Sequence, residues 1–575
     1  MYLGRKVIES IRENSNINPA LLNPLIQIGI PPSENSIELN IPLNEVENHF
    51  GVTSINKVLK IQPDDIIKRV NCIKDRTNRK LSFEIDRNIF VKDVLENCVQ
   101  PETNSAPKKL VIEYSSPNVA KPFHVGHLRS TIVGNFLANL NIYLNNKVTR
   151  LNYLGDWGTQ FGFIKVGIEK LNFSDSDIKE NPMRLLYESY VHANQLADSD
   201  PQIAETARSN FTKLEQGSLT DLKDWRTYLN YTISELKSTY DRLGVQFDEY
   251  NYESMYSASS IQAVMDLLKK KGVVSTDSEG KQVVNLNDKS VCLLKSDGTT
   301  LYLTRDVAAA IDRFKKYDFD EMYYVVDNGQ NDHFNSLKNL LHKMDLPWSD
   351  RIKHIKFGRI RGMSTRKGKV VFLKDLLNEI REIMVQKQIE SPNTKVPITD
   401  LEVSDILGVS CVIVNDLKQR RQKDYDFSWD RALQVQGDSG VKLQYTHCRL
   451  CSLEEKSGAV PVQECKPSYL DQPDVTVLVR ELARFPDILH AAQLQMEACV
   501  LVTYLFHLWY LFVLTIDSKL QFYHCSNHIN RAFKVLQVKN QEPELASQRL
   551  LLFSSARNVL GQGMSILGLK PLTKM

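Results

Sequence analysis

Hydrophobic residues recur every four positions at Leu128, Ile132, Phe136 and Leu140, a spacing that sets them on one face of a helix. Just upstream, LVIEY (Leu110 to Tyr114) is a short run of strand formers, joined to that helix by the loop SSPNVAKPFHVG. The pattern predicts a strand, a loop and a helix opening an α/β unit. Charged helical periodicity follows over 168–243 and a smaller strand-containing piece over 273–294, so about 168–294 reads as an insertion. The α/β pattern then resumes, with Thr300 to Leu303 strand-like, a helix beginning near Asp306 and a buried strand at Met322 to Val326. From about Asp400 nearly everything reads as helix, broken near Val460 to Pro473 and Gln541 to Pro543. The first hundred residues mix helical stretches with strand-like runs at Ser82 to Ile85 and Ile89 to Val91, and ETNSAPKK (Glu102 to Lys109) reads as a linker. Three parts result: an accessory unit over 1–105, an interrupted α/β unit over 106–400 and a helical unit over 401–575.

Composition adds bounds rather than chemistry. The 575 residues are 42% hydrophobic and 25% charged, which excludes a disordered or fibrous chain. Nine cysteines spread from Cys72 to Cys525 do not form a dense disulfide framework, and a reducing compartment fits them. Cys448 and Cys451 have CxxC spacing without a second ligand pair, so they read as helix-face thiols rather than a metal site. Ala498 to Ile516 is 19 residues without a charge, about the length of a bilayer span. His507 near its middle and the acidic flanks Glu497 and Asp517 argue instead for the core of a helical bundle. Met1 to Asn14 lacks the apolar region of a secretory signal.

The net charge of +3 conceals a segregated stretch. Arg351 to Val370 holds eight Lys and Arg residues and no acid. Its GMSTRKG segment (Gly362 to Gly368) suits a mobile clamp on a triphosphate; the plainer alternative is a solvated basic loop. The other candidate is His124-Val125-Gly126-His127, between a strand and a helix start. Amides at a helix N-terminus attract phosphate oxygens, the glycine permits close approach, and two histidines can donate hydrogen bonds. HxGH so placed points to ATP binding for nucleotidyl transfer, against the plainer reading of a capped helix with surface histidines. Ser115, Ser116, Pro117, Asn118 and Lys121 add polar donors and a cation to that loop.

Together these residues resemble the class I aminoacyl-tRNA synthetases, specifically the arginyl-tRNA synthetase family. The likeness lies in EYSSPNVAKPFHVGHLRSTIVGN (Glu113 to Asn135), NYLGDWGTQFG (Asn152 to Gly162), DGTTLYLTRDVAAA (Asp297 to Ala310), GMSTRKG and GDSGVKLQYTHCRL (Gly437 to Leu450), in the family's order. It implies a Rossmann-type catalytic domain with an insertion, an N-terminal α+β accessory domain and a C-terminal all-α bundle that binds the anticodon. It also implies an arginine–tRNA ligase that forms arginyl-AMP from L-arginine and ATP, then transfers arginine to the terminal ribose of tRNA-Arg, with tRNA bound before arginine is activated. ATP would enter as its Mg²⁺ complex, without a tightly bound protein metal.

Carried over by position, the arginine pocket would be Glu113, Ser116, Pro117, Asn118, His127, Tyr302, Asp306 and Gln330. Carboxylates and aromatic or polar walls suit a planar cation with five N–H donors. ATP would meet His124, Gly126, His127, Met363, Ser364, Arg366 and Lys367, with Lys121, His124 and His127 catalytic. The family's second signature, usually Lys-Met-Ser-Lys-Ser, here lacks its first lysine, and the resemblance implies that Lys121 supplies that cation. Gly437, Asp438, Lys442, Tyr445, His447, Arg449 and Met575 would contact tRNA, with Lys418, Arg420, Arg421 and Lys423 adding cations nearby. A monomer without membrane attachment is expected, in the mitochondrial matrix or, alternatively, the cytoplasm.

Overall fold

The computed structural model describes residues 7, 11, 26–28, 37–43, 58–74, 79–97, 106–119, 121, 123, 125–216, 218–256, 258–286, 289–296, 302–362, 372–391, 394–397, 399–434, 437–510 and 536–575. Near the N-terminus, β1 (Gln27–Ile28), β2 (Ile37–Pro42), β3 (Ile67–Lys74) and β4 (Arg79–Ile85) form an antiparallel sheet in the order β1-β2-β4-β3. Alternate residues Leu81, Phe83 and Ile85 bury one face of β4. Helix α1 (Arg87–Asn97) follows and contains Ile89 to Val91, which the local pattern assigns to a strand. The Asp86 carboxylate accepts the Ile89 N–H at 3.0 Å and its carbonyl accepts the Phe90 N–H at 3.0 Å, so a capping residue starts a helix where β-branched residues suggest strand.

The central sheet is parallel, in the order β12-β11-β5-β6-β7, formed by β5 (Lys109–Glu113), β6 (Lys147–Leu154), β7 (Glu249–Tyr252), β11 (Glu321–Asp327) and β12 (Ile352–Phe357). Side chains alternate between its faces: Leu110, Ile112, Tyr323 and Val325 join one core, whereas Val111, Met322 and Tyr324 join the other. The chain leaves β5 toward β6 and β7, then crosses back to β11 on the other side of β5. Ligands of open parallel sheets bind at the carboxyl ends of the strands where the order reverses in this way.

Helix α2 (Val125–Tyr143) follows β5, as its four-residue periodicity predicts. It lies so close to the sheet that a Cβ at Gly134 would stand 2.2 Å from the Tyr114 ring. Between β6 and β7 run α3 (Gln160–Leu171), α4 (Asp175–Glu180), α5 (Pro182–Ser199), α6 (Pro201–Glu215) and α7 (Leu219–Arg242). After β7 come α8 (Ala258–Lys270) and an antiparallel sheet, ordered β10-β9-β8, of β8 (Val274–Thr276), β9 (Gln282–Leu286) and β10 (Lys289–Leu294). Helix α9 (Tyr302–Tyr317) starts earlier than its local pattern suggests. Leu303, Val307 and Ala310 are all buried at helical spacing, so Tyr302 and Leu303 belong to the helix rather than to a strand; 297–301 lie outside the described residues. Helix α10 (Asn331–Lys343) then connects β11 to β12.

Beyond β12, the two-residue strand β13 (Ile360–Arg361) leads into the GMSTRKG segment, and α11 (Leu373–Glu390) follows. The C-terminal helices are α12 (Leu401–Leu417), α13 (Gly440–Lys456), α14 (Pro473–Ala483), α15 (Phe485–Gln495), α16 (Ala498–Tyr510) and α17 (Pro543–Ile566). The helical pattern of this region conceals a two-residue strand, β14 (Tyr425–Asp426), which pairs in parallel with β13. In α16, Leu501, Leu505 and Leu508 are buried in the bundle core; of the uncharged stretch, 511–516 lie outside the described residues. Among the described residues no helix is long and apolar enough to cross a membrane. The N-terminal sheet docks on this bundle through α1: Arg87 Nε donates to Thr476 Oγ1 at 2.7 Å and Ser555 Oγ to the Leu95 carbonyl at 3.2 Å.

Candidate active site

The end of β5 delivers Glu113, and the chain then takes left-handed conformations at Ser115 (φ 72°) and Ser116 (φ 46°), which side chains other than glycine adopt only when their surroundings impose it. A buried polar network imposes it here. Ser115 N donates to Ser130 Oγ at 2.9 Å, and Ser115 Oγ lies 2.7 Å from the Tyr240 hydroxyl and 2.8 Å from Thr131 Oγ1. Ser116 N donates to Asn152 Oδ1 at 3.1 Å, and Asn152 Nδ2 in turn donates to the Tyr240 hydroxyl at 3.0 Å. The turn aims Ser116 Oγ back at Glu113 Oε1, 3.2 Å away. Pro117 is buried, and Asn118 Nδ2 donates to Gln160 Oε1 at 3.2 Å.

Gly126 and His127 occupy the first turn of α2, both half-buried, with the His127 ring stacked on Phe123 at 5.6 Å. Lys121 is exposed beside this helix start. A helix N-terminus, a histidine and a cation are groups that attract a phosphate chain. His124, Met363, Ser364, Arg366 and Lys367 lie outside the described residues.

The opposite wall comes from α9 and the end of β11. Tyr302 is exposed at the start of α9, and Asp306 follows one turn later, half-buried, with Oδ2 2.6 Å from His333 Nε2. Gln330 is exposed in a short 3-10 turn after β11, a turn closed by the Asp327 carboxylate accepting the Gly329 N–H at 2.6 Å. Glu113 receives the Arg313 guanidinium on its second oxygen at 2.5 Å. Burial pushes the Glu113 carboxyl up from its ordinary range, and Arg313 pulls it back. Glu113 ends β5, Gln330 follows β11, and the charge of Asp306 reaches Glu113, so these three stand near the switch point between β5 and β11. Arg313, His333, Asn152 and Tyr240 escape sequence reasoning, although Arg313, seven residues after Asp306, falls on the same helical face.

Glu253, after β7, is another carboxylate of this region. Burial pushes it up to about 7; Arg305 opposes the rise and the charges of Asp306 and Asp156 add to it. A carboxyl whose pKa is raised on folding stabilises the fold fully below its unfolded value, and that contribution is lost as pH rises through 7. Between pH 5 and pH 8 the protein is expected to lose about 2 kcal/mol of stability on this account, allowing for residual solvent contact. Denaturant melts at both pH values should show Glu253→Gln less pH-sensitive by that amount; equal slopes would exclude the assignment.

The basic segment is anchored to the helical region. Gly358 N donates to the Arg421 carbonyl at 2.9 Å, Arg359 N to Asp424 Oδ1 at 2.7 Å, and Arg421 N to Glu497 Oε2 at 2.9 Å. Of the nearby cations, Arg421 is therefore committed to the fold, half-buried Lys418 donates to the Asp438 carbonyl at 3.3 Å, and Arg420 and Lys423 are exposed. On α13, Lys442, Tyr445 and Arg449 share one outer face, with the Lys442 ammonium 5.7 Å from the Tyr445 ring centre, and exposed Gly437 precedes it. His447 points inward: its Nδ1 donates to the Leu572 carbonyl at 2.8 Å, so its imidazole serves the packing of the C-terminal segment. Cys448 is buried beside it, and no group of His, Cys, Asp and Glu that could hold a metal occurs among the described residues. Met575 is half-buried, and its carbonyl accepts the Lys395 N–H at 3.0 Å.

A parallel sheet with a glycine-histidine helix start at its switch point, and a basic stretch running through and beyond its edge strand, fits a class I aminoacyl-tRNA synthetase. Residues 89–429 match the family model for the catalytic domain of class I (R) tRNA synthetases, and 443–575 match the DALR anticodon binding domain. A mouse protein named probable arginine–tRNA ligase, mitochondrial, is 40% identical over 512 residues, covering 86% of this chain and 85% of its own. The cytoplasmic arginine–tRNA ligase of Saccharomyces cerevisiae is 40% identical over 485 residues, covering 81% of this chain and 77% of its own. The solved arginyl-tRNA synthetase of Thermus thermophilus shares the fold at a TM-score of 0.77 and 20% identity, covering 99% of this chain and 100% of its own. The chain belongs to the arginyl-tRNA synthetase family. It is an arginine–tRNA ligase, which joins arginine to tRNA at the expense of ATP.

Proposed function

We propose that Glu113 and Asp306 receive the guanidinium of L-arginine, with Tyr302 beside them, and that Asn118 and Gln330 hold its α-amino and carboxylate groups. The observation that carries this reading is the meeting of two carboxylates with the helix start bearing His127 at the switch point between β5 and β11. Ser116, Pro117 and His127 complete the arginine pocket. ATP arrives as its Mg²⁺ complex. A carboxylate oxygen of arginine attacks the α-phosphorus, a P–O bond forms, and the bond to the β-phosphate breaks as pyrophosphate leaves. His124, His127 and Lys121 stabilise the charge developing on the phosphates, and Met363, Ser364, Arg366 and Lys367 bind ATP with them. The ribose hydroxyl of tRNA-Arg then attacks the aminoacyl carbonyl, and AMP departs.

In this reading residues 1–105 contact tRNA, 106–400 carry the chemistry and 401–575 bind the anticodon. Gly437, Asp438, Lys442, Tyr445, Arg449 and Met575 face the tRNA, and the outer face formed by half-buried Lys442 with exposed Tyr445 and Arg449 supports that role. The enzyme works as a monomer, which a mass of one chain in sedimentation would establish. The mitochondrial matrix is its proposed compartment, on the strength of relatives named mitochondrial; recovery in the cytosolic fraction of its own cells would place it instead with the relatives named cytoplasmic.

Arginine-dependent ATP–pyrophosphate exchange, run with and without tRNA-Arg, tests the reaction order. Exchange is expected to rise above background when tRNA-Arg is added. No exchange with tRNA present would overturn the reading, and full exchange without tRNA would remove the tRNA-first step.

A further inference from the structure

Arg313 has no role in the reaction as set out above. Tyr302, Asp306 and Arg313 lie on one face of α9, and exposure falls along it from 71% at Tyr302, through half-buried Asp306, to 1% at Arg313. The Arg313 guanidinium lies at the buried end of that face. Its Nη1 donates to Glu113 Oε2 at 2.5 Å and to the Tyr324 hydroxyl at 3.1 Å, and the rings of Tyr153 and Tyr324 flank it with centres at 4.8 and 5.6 Å. Glu113 and Tyr324 are register partners on β5 and β11, so both contacts belong to the same rung of the sheet.

A purely structural reading fits poorly. Nε and Nη2 of Arg313 are buried without a hydrogen-bond partner among the described residues, and a buried ion pair is commonly replaced by apolar side chains at little or no cost in stability. A side chain needed only to fill this space has no use for a charge. Glu113, by contrast, is divided between two duties: Oε2 faces Arg313, whereas Oε1 accepts from Ser116 on the loop that lines the pocket.

We propose that Arg313 is a positioning residue for arginine recognition, a resident guanidinium that anchors one oxygen of Glu113 so that the other is presented, charged and fixed in direction, to the guanidinium of the substrate. The proposal rests on the reading of Glu113 as a pocket residue. A carboxylate buried without a compensating cation takes up a proton and loses its attraction for arginine. Arg313 prevents this from beneath, on the side away from the substrate, and the two flanking tyrosines hold its plane.

The test is tRNA-dependent exchange in the full-length enzyme, reading KM for arginine and for ATP separately in Glu113→Gln, Arg313→Lys, Arg313→Met and the Glu113→Gln/Arg313→Met double variant. Arg313→Met is expected to raise KM for arginine about 30-fold with KM for ATP within about twofold. Arg313→Lys, which keeps the charge, returns KM for arginine to within about fivefold of the parent. In the Glu113→Gln background the methionine changes KM for arginine less than about twofold, because the carboxylate it acts through is already gone. Effects that simply multiply in the double variant, or equal rises in KM for both substrates, would overturn the proposal. A Glu113→Gln chain with unchanged KM for arginine would instead remove Glu113 from the pocket, and with it the reading beneath. If the methionine chain does not fold, Arg313→Gln, which likewise removes the charge while remaining polar, makes the same comparisons.

Discussion

Asp306→Ala is expected to lower kcat/KM for arginine by about 10³-fold while KM for ATP stays within about threefold. Asp306, which we propose faces the substrate guanidinium, is half-buried with one oxygen held by His333 at 2.6 Å. That contact orients the carboxylate and leaves its other oxygen for a guanidinium N–H. Losing a charged acceptor from a site shaped for a cation costs far more than losing a contact in water, because the substrate's donors are then desolvated without a partner. Asp306→Asn separates charge from geometry. It keeps an oxygen for His333 but not the negative charge, and its defect should fall between those of the alanine variant and the parent. Steady-state exchange with tRNA present, varying each substrate in turn, gives both constants. An equal loss for arginine and ATP would take Asp306 out of the pocket.

What made this site legible in the sequence was periodicity combined with sharply placed special residues. β5, the loop and α2 follow from a run of strand formers, HVGH and a four-residue hydrophobic repeat, and each of those signals is local. The features that escaped depend on distant partners. The start of α9 at Tyr302 is decided by Leu303 packing with Val307 and Ala310, not by residues 300–303 alone. β13 and β14 are two residues each, too short for any period to register. On α13, spacing separates what composition merges: Lys442, Tyr445 and Arg449 share the outer face, whereas His447 turns in toward Leu572. The left-handed serines follow from a network whose members, Asn152, Ser130 and Tyr240, come from three different elements. Arg313 and Arg129 look like ordinary helix cations in the sequence, yet both are almost wholly buried.

Arg129 has the largest expected effect on stability. It lies on α2 two residues after His127, and its guanidinium is enclosed between the starts of β13 and β14 and the end of α12. Nη1 donates to the Gly358 carbonyl at 2.5 Å and to the Lys423 carbonyl at 2.9 Å, Nε lies 3.2 Å from Asp416 Oδ1, and the Tyr425 ring sits 5.2 Å away. One side chain thus ties the helix of the phosphate site to the strand pair β13–β14 and to α12. Arg129→Met leaves Asp416, itself buried, without its cation, a change that costs about 3–5 kcal/mol. Adding Asp416→Leu removes the stranded charge and is expected to restore most of that stability. Exchange activity should not return with it, because the carbonyls of Gly358 and Lys423 still lack the donor that holds the starts of β13 and β14 against α2. Urea unfolding midpoints beside exchange rates at saturating ATP separate the two effects. A single variant less than about 1 kcal/mol below the parent would show that the ion pair does not hold these elements together, and full activity in the double variant would show that catalysis does not depend on their attachment to α2.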